Sequence, residues 1–189
     1  MSKELFTTIY SENIKREGSA ELFAYLEKSD FFTAPASSRF HLACNGGLCE
    51  HSVNVYERLV EQSTNVKNAP EYTAETLAIV SLLHDLCKVN MYKPDFRNVK
   101  NDKGVWEKVP CYTIDEKFSY GGHGSKSVFI IQQFMKLTPQ EACAINCHMG
   151  AYDRASGDYS IGQAFEQTPL ALMLSVADQY ATFIDEVEK

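Results

Sequence analysis

The chain has 189 residues, of which 44% are hydrophobic and 23% are charged. These values are typical of a globular protein with one domain, and they exclude a disordered chain, a collagen-like repeat and a small disulfide scaffold. The net charge of −7 disfavours a protein that coats DNA or RNA, because such binding needs a basic surface. We therefore expect no polynucleotide partner.

The sequence shows no membrane-spanning or secretory segment. It contains no apolar run of about 18 residues, the length of a membrane-spanning helix, and its first residues lack the apolar core of a signal peptide. The sequence therefore predicts a cytoplasmic protein without a membrane partner, whose six cysteines are reduced. No pattern in the sequence indicates an oligomeric state.

The charge is unevenly distributed along the chain. Residues 88–126 contain eight Lys or Arg and five Asp or Glu, so that this segment is locally +3 and the remainder is −10. A basic segment of this kind can steer a small phosphorylated ligand, or it can be an ordinary solvated surface.

The first third of the chain has the pattern of helices followed by a loop. Apolar spacing predicts two helices within residues 1–35, the first running from Ser2 to about Arg16. Proline, serine and paired glycines predict a loop over residues 33–46. We expect the core of a single domain to occupy residues 40–185.

Two helices are predicted after this loop. The first spans about 47–63 and contains His51. The second spans about 73–87 and is apolar on most sides, as expected of a central buried helix. Near its end the pair His84-Asp85 interrupts the apolar run.

Residues 92–118 have a different pattern. Strand-forming residues alternate with charged ones around the turn signal Asp102-Lys103-Gly104, which predicts a small β-hairpin inserted between helices. Its aromatic residues could stack on a nucleobase, although such residues more often pack a hairpin against its domain; they are Tyr92, Trp106 and Tyr112.

Three further helices complete a mainly α fold. One is predicted over residues 125–136. The next begins with Thr138-Pro139-Gln140-Glu141, which has the pattern of a capping box, and it ends near His148. The last begins at Thr168-Pro169 and includes Asp178 within an apolar run.

His51, His84, Asp85 and Asp178 indicate a metal site. Three predicted helices bring these groups towards an apolar interior, where a charge is costly unless it is paired or bound to a metal. Imidazole and carboxylate together suit one or two divalent ions, whose identity among Mn, Fe, Ni, Co, Mg and Zn depends on supply. In that interpretation Asp85 bridges two ions, and His123 and His148 are candidate ligands of the second. The alternative is a helical domain with hydrogen-bonded core histidines and no metal.

The same residues resemble a known signature. The phrases Gly46–Ser52, Leu82–Lys88 and Ala177-Asp178 are similar to those of the HD-domain metal-dependent phosphohydrolases. The first two phrases most resemble the HD domain of bacterial 3′-to-5′ exoribonucleases. Those enzymes carry an OB-type module that the two short helices before residue 35 do not provide. The resemblance covers about residues 40–185 and implies a single HD-type helical domain.

The resemblance also implies roles for individual residues. It makes His51, His84, Asp85 and Asp178 metal ligands, with His123 and His148 as second-metal ligands. Asp85 and Lys88 are the expected catalytic residues, and Lys88 would contact a phosphate oxygen. His41 lies near a histidine of the exoribonuclease-like members and is a candidate for substrate binding. Arg154 is a further candidate as a phosphate clamp, or an ordinary surface arginine.

Two functions remain open on these grounds. The first is a metal-dependent phosphohydrolase that acts on a nucleotide or another small phosphoester through metal-activated hydroxide. The second is a non-catalytic HD-fold domain that senses a nucleotide or acts as a scaffold, with a structural metal. An exchangeable water on the metal would distinguish the first function from the second.

Overall fold

A computed structural model describes residues 2–116, 121–153 and 160–187, and within them the protein is mainly helical with one antiparallel hairpin. This confirms the predicted fold class. The helices are α1 (Ser2–Asn13), α2 (Ser19–Lys28), α3 (Gly47–Asn65), α4 (Ala74–Leu83), α5 (His123–Gln132), α6 (Pro139–Cys147), α7 (Ser160–Gln167) and α8 (Pro169–Tyr180). The strands are β1 (Tyr92–Lys100) and β2 (Trp106–Ile114). None of the helices in the described ranges is long and apolar enough to cross a bilayer.

Four helices form the frame of the core. Helix α3 packs against α4 and α8, and α6 packs against the same two helices. Their contacting faces are built from fully buried aliphatic side chains such as Leu59, Leu82 and Leu174. Burial of each such side chain contributes about 1.5–3 kcal/mol, so these contacts stabilise the packing of the four helices.

The start of α3 depends on two glycines. Gly46 has a φ of +80°, a conformation that favours glycine. A Cβ atom on Gly47 would lie 2.1 Å from the carbonyl oxygen of Leu42, so no other residue fits there. The predicted loop over residues 33–46 is confirmed, and this close approach holds it, with His41, against the first turns of α3.

The end of α4 differs from the prediction. The sequence predicts a helix to about Cys87, but α4 ends at Leu83, and Leu86–Lys88 form a short 3-10 turn. The imidazole of His84 donates from Nδ1 to the carbonyl oxygen of Ser81 at 2.7 Å. If the helix continued, the Ser81 carbonyl oxygen would accept from the backbone N–H of Asp85. The His84 side chain therefore competes with the backbone for this acceptor.

Two other helix boundaries were predicted wrongly. Helix α1 ends at Asn13 rather than Arg16, because the backbone N–H of Lys15 donates to the carboxylate of Glu75 at 2.8 Å instead of to a helical carbonyl. Helix α5 spans His123–Gln132 rather than 125–136. At α1 a contact with a distant segment replaces the local pattern, whereas α5 ends in local hydrogen bonds, from the N–H groups of Gln133 and Phe134 to the carbonyl oxygens of Ile130 and Ile131.

The capping box at the start of α6 is confirmed. The hydroxyl oxygen of Thr138 accepts from the backbone N–H of Glu141 at 3.2 Å, and the Glu141 carboxylate accepts from the N–H of Thr138 at 2.8 Å. The same carboxylate pairs with the guanidinium of Arg16, Nη2 to Oε1 at 2.9 Å. Glu141 therefore ties the segment after α1 to the start of α6.

The hairpin projects from the helical body. Strands β1 and β2 pair over nine residues each, from Tyr92 opposite Ile114 to Lys100 opposite Trp106. Its base is held by the backbone, where Tyr112 donates to the Ser38 carbonyl oxygen at 3.0 Å. Most of its side chains are exposed, so it is not packed against the helices along its length.

The C-terminal region contains one helix that the sequence does not predict, α7. Helix α8 begins at Pro169 as predicted and includes Asp178. It then continues as a π-helical turn, Ala181–Asp185, where the prediction has regular helix. Such turns often occur at functional sites, and here Glu186 follows directly.

Candidate metal centre

Five ionisable side chains from four parts of the fold meet in the core. His51 lies on α3 and Asp178 on α8, whereas His84-Asp85 follow α4 and His148 follows α6. The three histidines and Asp85 are buried. The structure therefore brings together the four first-metal ligands that the resemblance implies and His148, one of the two candidate ligands of a second metal.

The three imidazoles are oriented in the same way. His84 Nδ1 donates to the Ser81 carbonyl oxygen at 2.7 Å, and His148 Nδ1 donates to that of Ile145 at 2.7 Å. His51 Nδ1 lies 3.0 Å from Oε1 of Glu186. Carbonyl and carboxylate oxygens only accept, so each Nδ1 carries hydrogen. In its neutral form, each imidazole then presents the lone pair of Nε2 to the centre.

The facing atoms are spaced like ligands of one ion. His51 Nε2 lies 3.3 Å from His84 Nε2 and 3.2 Å from Asp178 Oδ1. Asp85 Oδ2 lies 3.5 Å from His84 Nε2 and 3.6 Å from His51 Nε2. Metal–ligand bonds of about 2.0–2.2 Å place neighbouring ligand atoms roughly 3 Å apart. A cation at the centre would fit these separations.

His148 extends the centre on the other side of Asp85. Its Nε2 lies 3.5 Å from Asp85 Oδ1 and has no hydrogen-bond partner among the described residues. A buried polar atom without a partner is costly, and a metal ion would satisfy it. Three sets of ligand atoms in the described part of the chain each lie within 4.8 Å of one another: His51, His84 and Asp85; His84, His148 and Asp178; and, sharing His51, the set of His41, His51 and Glu186. The donor set therefore fits a divalent metal.

The electrostatics differ among the histidines. Burial lowers the pKa of His84 to about 4, which keeps this imidazole neutral and able to bind a metal. Burial also acts to lower the pKa of His51, but hydrogen bonds to Asp178 and Glu186 outweigh it and raise the pKa to about 9. A proton and a metal ion thus compete for His51 Nε2.

Lys88 is the cation closest to Asp85 in the described site. Its Nζ lies 2.6 Å from Asp85 Oδ2, and the side chain is buried. Burial acts to lower the pKa of Lys88, but the charge and hydrogen bond of Asp85 outweigh it, so the pKa is raised and the ammonium stays charged. Lys88 can therefore bind an anion that approaches the centre.

The centre opens into a cavity of about 500 Å³. Lys88, His148 and Asp178 line its inner part. Aromatic rings line its outer part, and they are strongly exposed; they are Phe40, Tyr152 and Phe183. The cavity thus joins a charged interior to an aromatic mouth, and it has the volume of a small-ligand site.

Three other candidate residues have different outcomes. His41 lines the cavity, and its ring centroid lies 5.0 Å from that of His51. His123 belongs to none of the sets of ligand atoms given above, and its Nδ1 lies 3.4 Å from Sγ of Cys87. Its role as a second-metal ligand stays a prediction. Arg154 lies outside the described residues.

Sequence reasoning missed Glu186. This carboxylate accepts from His51 Nδ1 and also from Asn54 Nδ2, the latter at 2.9 Å. A carboxylate in this position orients a metal-binding imidazole and raises its basicity. Glu186 follows the last helix and belongs to no motif, so only the fold identifies it.

Comparison of the chain with family models, with curated proteins and with solved structures finds no match. The residues of the site form a buried His/Asp cluster that could hold a metal ion, beside a cavity that a small molecule can enter.

Proposed function

We propose that the protein is a divalent-metal-dependent phosphohydrolase of the HD type, which acts on a nucleotide or another small phosphoester. The observation that carries this proposal is the convergence of three imidazole Nε2 atoms and two carboxylates at the bottom of a cavity. Core histidines that were merely hydrogen-bonded would not need to leave three Nε2 atoms facing one another.

The ion would be held by His51, His84, Asp85 and Asp178, and His148 would extend the site. A donor set with three imidazoles favours Mn, Fe, Co, Ni or Zn over Mg, which prefers oxygen ligands. When bound, the ion supplies an activated water and a counter-charge for phosphoryl oxygens. Asp85 holds the site together, because its two oxygens face His84 and His148 on opposite sides.

Lys88 is the group that would bind the phosphate. Its ammonium is charged and pairs with Asp85. The side chain is buried from bulk solvent but lines the cavity. A phosphoryl oxygen that replaces water beside Asp85 would accept a hydrogen bond from Lys88, and this bond strengthens as negative charge develops. Lys88 would then act as a catalytic residue by stabilising the transition state.

The aromatic mouth supports a ring-bearing substrate. Phe40, Tyr152 and Phe183 are exposed around the opening, and aromatic side chains favour stacking on planar groups. A nucleotide has its phosphate and its planar base on opposite sides of the sugar, which matches a charged interior and an aromatic rim. A cytoplasmic location agrees with six free cysteines.

The test is a hydrolysis assay with the full chain after loading with each metal in turn. Nucleoside monophosphates, a cyclic nucleotide and a generic phosphodiester are offered to the wild type, to Asp85→Ala and to the exposed control Asp95→Ala. We expect turnover of at least one substrate by the wild type and the control, and none by Asp85→Ala. Metal binding without turnover of any phosphoester would instead support the non-catalytic domain with a structural metal.

A further inference from the structure

The hairpin separates its side chains into two chemically different faces. Its register places Phe96 opposite Pro110, Asn98 opposite Lys108, and Lys100 opposite Trp106 on the same side of the sheet. Tyr92, Pro94, Tyr112 and Ile114 continue this side towards the base. We call this side the aromatic face; its members are Tyr92, Pro94, Phe96, Asn98, Lys100, Trp106, Lys108, Pro110, Tyr112 and Ile114.

Charge is separated in the same way. The aromatic face carries Lys100 and Lys108 and no carboxylate, as its register shows. The acidic residues of the strands, Asp95 and Glu107, lie on the opposite side together with Lys93 and Arg97, so that side has no net charge. No ion pair to Lys100 or Lys108 is found among the described residues. The aromatic face is therefore positive although the whole chain is negative.

The outer half of this face is open to solvent. Trp106 is 67% exposed and Phe96 is 63% exposed, although both are large apolar side chains. A two-stranded hairpin is only marginally stable by itself in water. Exposed aromatic rings on such a hairpin therefore indicate a surface that a partner covers.

The composition of the face indicates which partner. Protein interfaces are depleted of lysine at their centre, and the outer half of the aromatic face has one lysine opposite Trp106, Lys100, and a second, Lys108, between the Trp106 and Phe96 pairs. Surfaces that bind single-stranded nucleic acid, in contrast, combine aromatic rings, on which the bases stack, with basic side chains that contact the phosphates. A polyanion thus fits this face better than a second copy of the chain does.

We propose that the aromatic face of the hairpin binds single-stranded nucleic acid. Bases stack on Trp106 and Phe96, and the phosphates between them contact Lys100 and Lys108. The strands span about 30 Å at roughly 3.3 Å per residue, enough for a few nucleotides. The net charge of −7 led us to expect no polynucleotide partner, but this charge is not spread evenly along the chain. The charge of −10 outside residues 88–126 makes the binding weak and sensitive to salt.

The chain offers a direct probe of this surface. Trp106 is its one tryptophan, so tryptophan fluorescence reports on the tip of the hairpin alone. An oligothymidylate of about fifteen nucleotides is titrated into the wild-type chain at low salt, where base stacking on Trp106 quenches the emission. We expect saturable quenching, with a log–log salt dependence of slope about −1.4 for two phosphate contacts.

Two charge-reversal variants decide whether the face is responsible. Lys100→Glu with Lys108→Glu changes the aromatic face, and Lys93→Glu with Arg97→Glu makes the same change in charge on the opposite face. We expect the first pair to weaken binding at least about tenfold and the second pair less than about threefold. Trp106→Ala, measured by anisotropy of a labelled oligothymidylate, should also lose about tenfold.

Three results would overturn the proposal. They are the absence of quenching in the wild type, an equal loss in both charge-reversal pairs, and unchanged binding by Trp106→Ala. A blue shift of the Trp106 emission that grows with protein concentration without oligonucleotide, together with a dimer in sedimentation, would assign the face to a second copy instead. None of these readouts depends on hydrolysis, so the proposal stands or falls separately from the proposed function.

Discussion

The Nε2 atoms of His51 and His84 lie 3.3 Å apart in the core, while the Nδ1 atom of each ring is committed to another acceptor. Two lone pairs at this distance repel each other unless a proton or a cation lies between them. Asp85 and Asp178 add negative charge beside the pair. A proton on His51, whose pKa is raised to about 9, relieves this repulsion in the metal-free protein, and a metal ion that replaces the proton would be bound by both rings and both carboxylates.

Glu186 is predicted to tune metal affinity. In Glu186→Gln the hydrogen bond to His51 Nδ1 loses its charge, so the imidazole becomes a weaker ligand. We expect metal affinity to fall about 10- to 100-fold, as is typical for such partners. Competition with a chelator measures the affinity.

The neighbouring Asp185→Asn is the matched control. Asp185 accepts from Nε of Arg58 at 2.7 Å, away from the metal centre. It should leave metal affinity unchanged. An equal loss in both variants would mean that the C-terminal segment acts only through its packing.

How far the sequence predicts this centre depends on the type of residue. His51, His84, Asp85 and Asp178 are recognisable because each is an ionisable residue in an otherwise apolar helical pattern. Glu186 has no such pattern, and its contact with His51 spans 135 positions of the chain. It depends on the π-helical turn after α8, which no local propensity specifies.

The fold shows the same division. The capping box at Thr138 and the hairpin turn at Asp102-Lys103-Gly104 are local signals, and the structure confirms the elements they predict. The end of α4 at Leu83 depends on the side chain of His84 bonding to its own helix, and the end of α1 depends on distant Glu75. Periodicity carries no information on either contact.

Lys88→Gln should separate catalysis from metal binding. The variant loses the charge that would stabilise the phosphoryl group, so we expect kcat/KM to fall about 100-fold while the metal content stays the same. The exposed Lys93→Gln is its control and should keep full activity. Loss of metal in Lys88→Gln would show that the lysine holds Asp85 in place rather than binding substrate.

Phe183 is predicted to select the substrate. Its ring is 61% exposed at the mouth of the cavity, so Phe183→Ala should change the free energy of unfolding by less than about 0.5 kcal/mol. We expect KM to rise severalfold for a nucleoside monophosphate and to stay the same for a phosphoester without a ring. A similar rise for both substrates would argue against stacking.

Glu141 gives a prediction for stability far from the centre. Burial acts to raise the pKa of this carboxyl, but Arg16 and the Thr138 N–H outweigh it and lower the pKa below its usual value of 4.5. A lowered pKa stabilises the fold above pH 4.5, and this stabilisation is lost as the pH falls through the lower folded-state pKa. Glu141→Gln should therefore lower the free energy of unfolding by about 1.5 kcal/mol at pH 7, the lower end for loss of a charged hydrogen bond, because Arg16 is partly exposed.

Urea denaturation of the wild type and Glu141→Gln at pH 7 and at pH 3 tests this account. The difference between the two proteins should shrink at the lower pH, because below pH 4.5 the carboxyl is protonated in the unfolded state and the stabilisation from the lowered pKa of Glu141 is progressively lost. The exposed Glu61→Gln serves as control. A difference that is constant with pH would mean that the Glu141 side chain stabilises the fold through packing alone.

The most direct test of the metal centre is elemental analysis of the full chain, purified without a chelator or a metal-affinity tag, beside Asp85→Ala. We predict one or two equivalents of a first-row transition metal in the wild type and its loss in the variant, since Asp85 faces both His84 and His148. A wild-type protein that takes up no metal even after incubation with Mn or Fe would contradict this account and leave its histidines as hydrogen-bonded core residues.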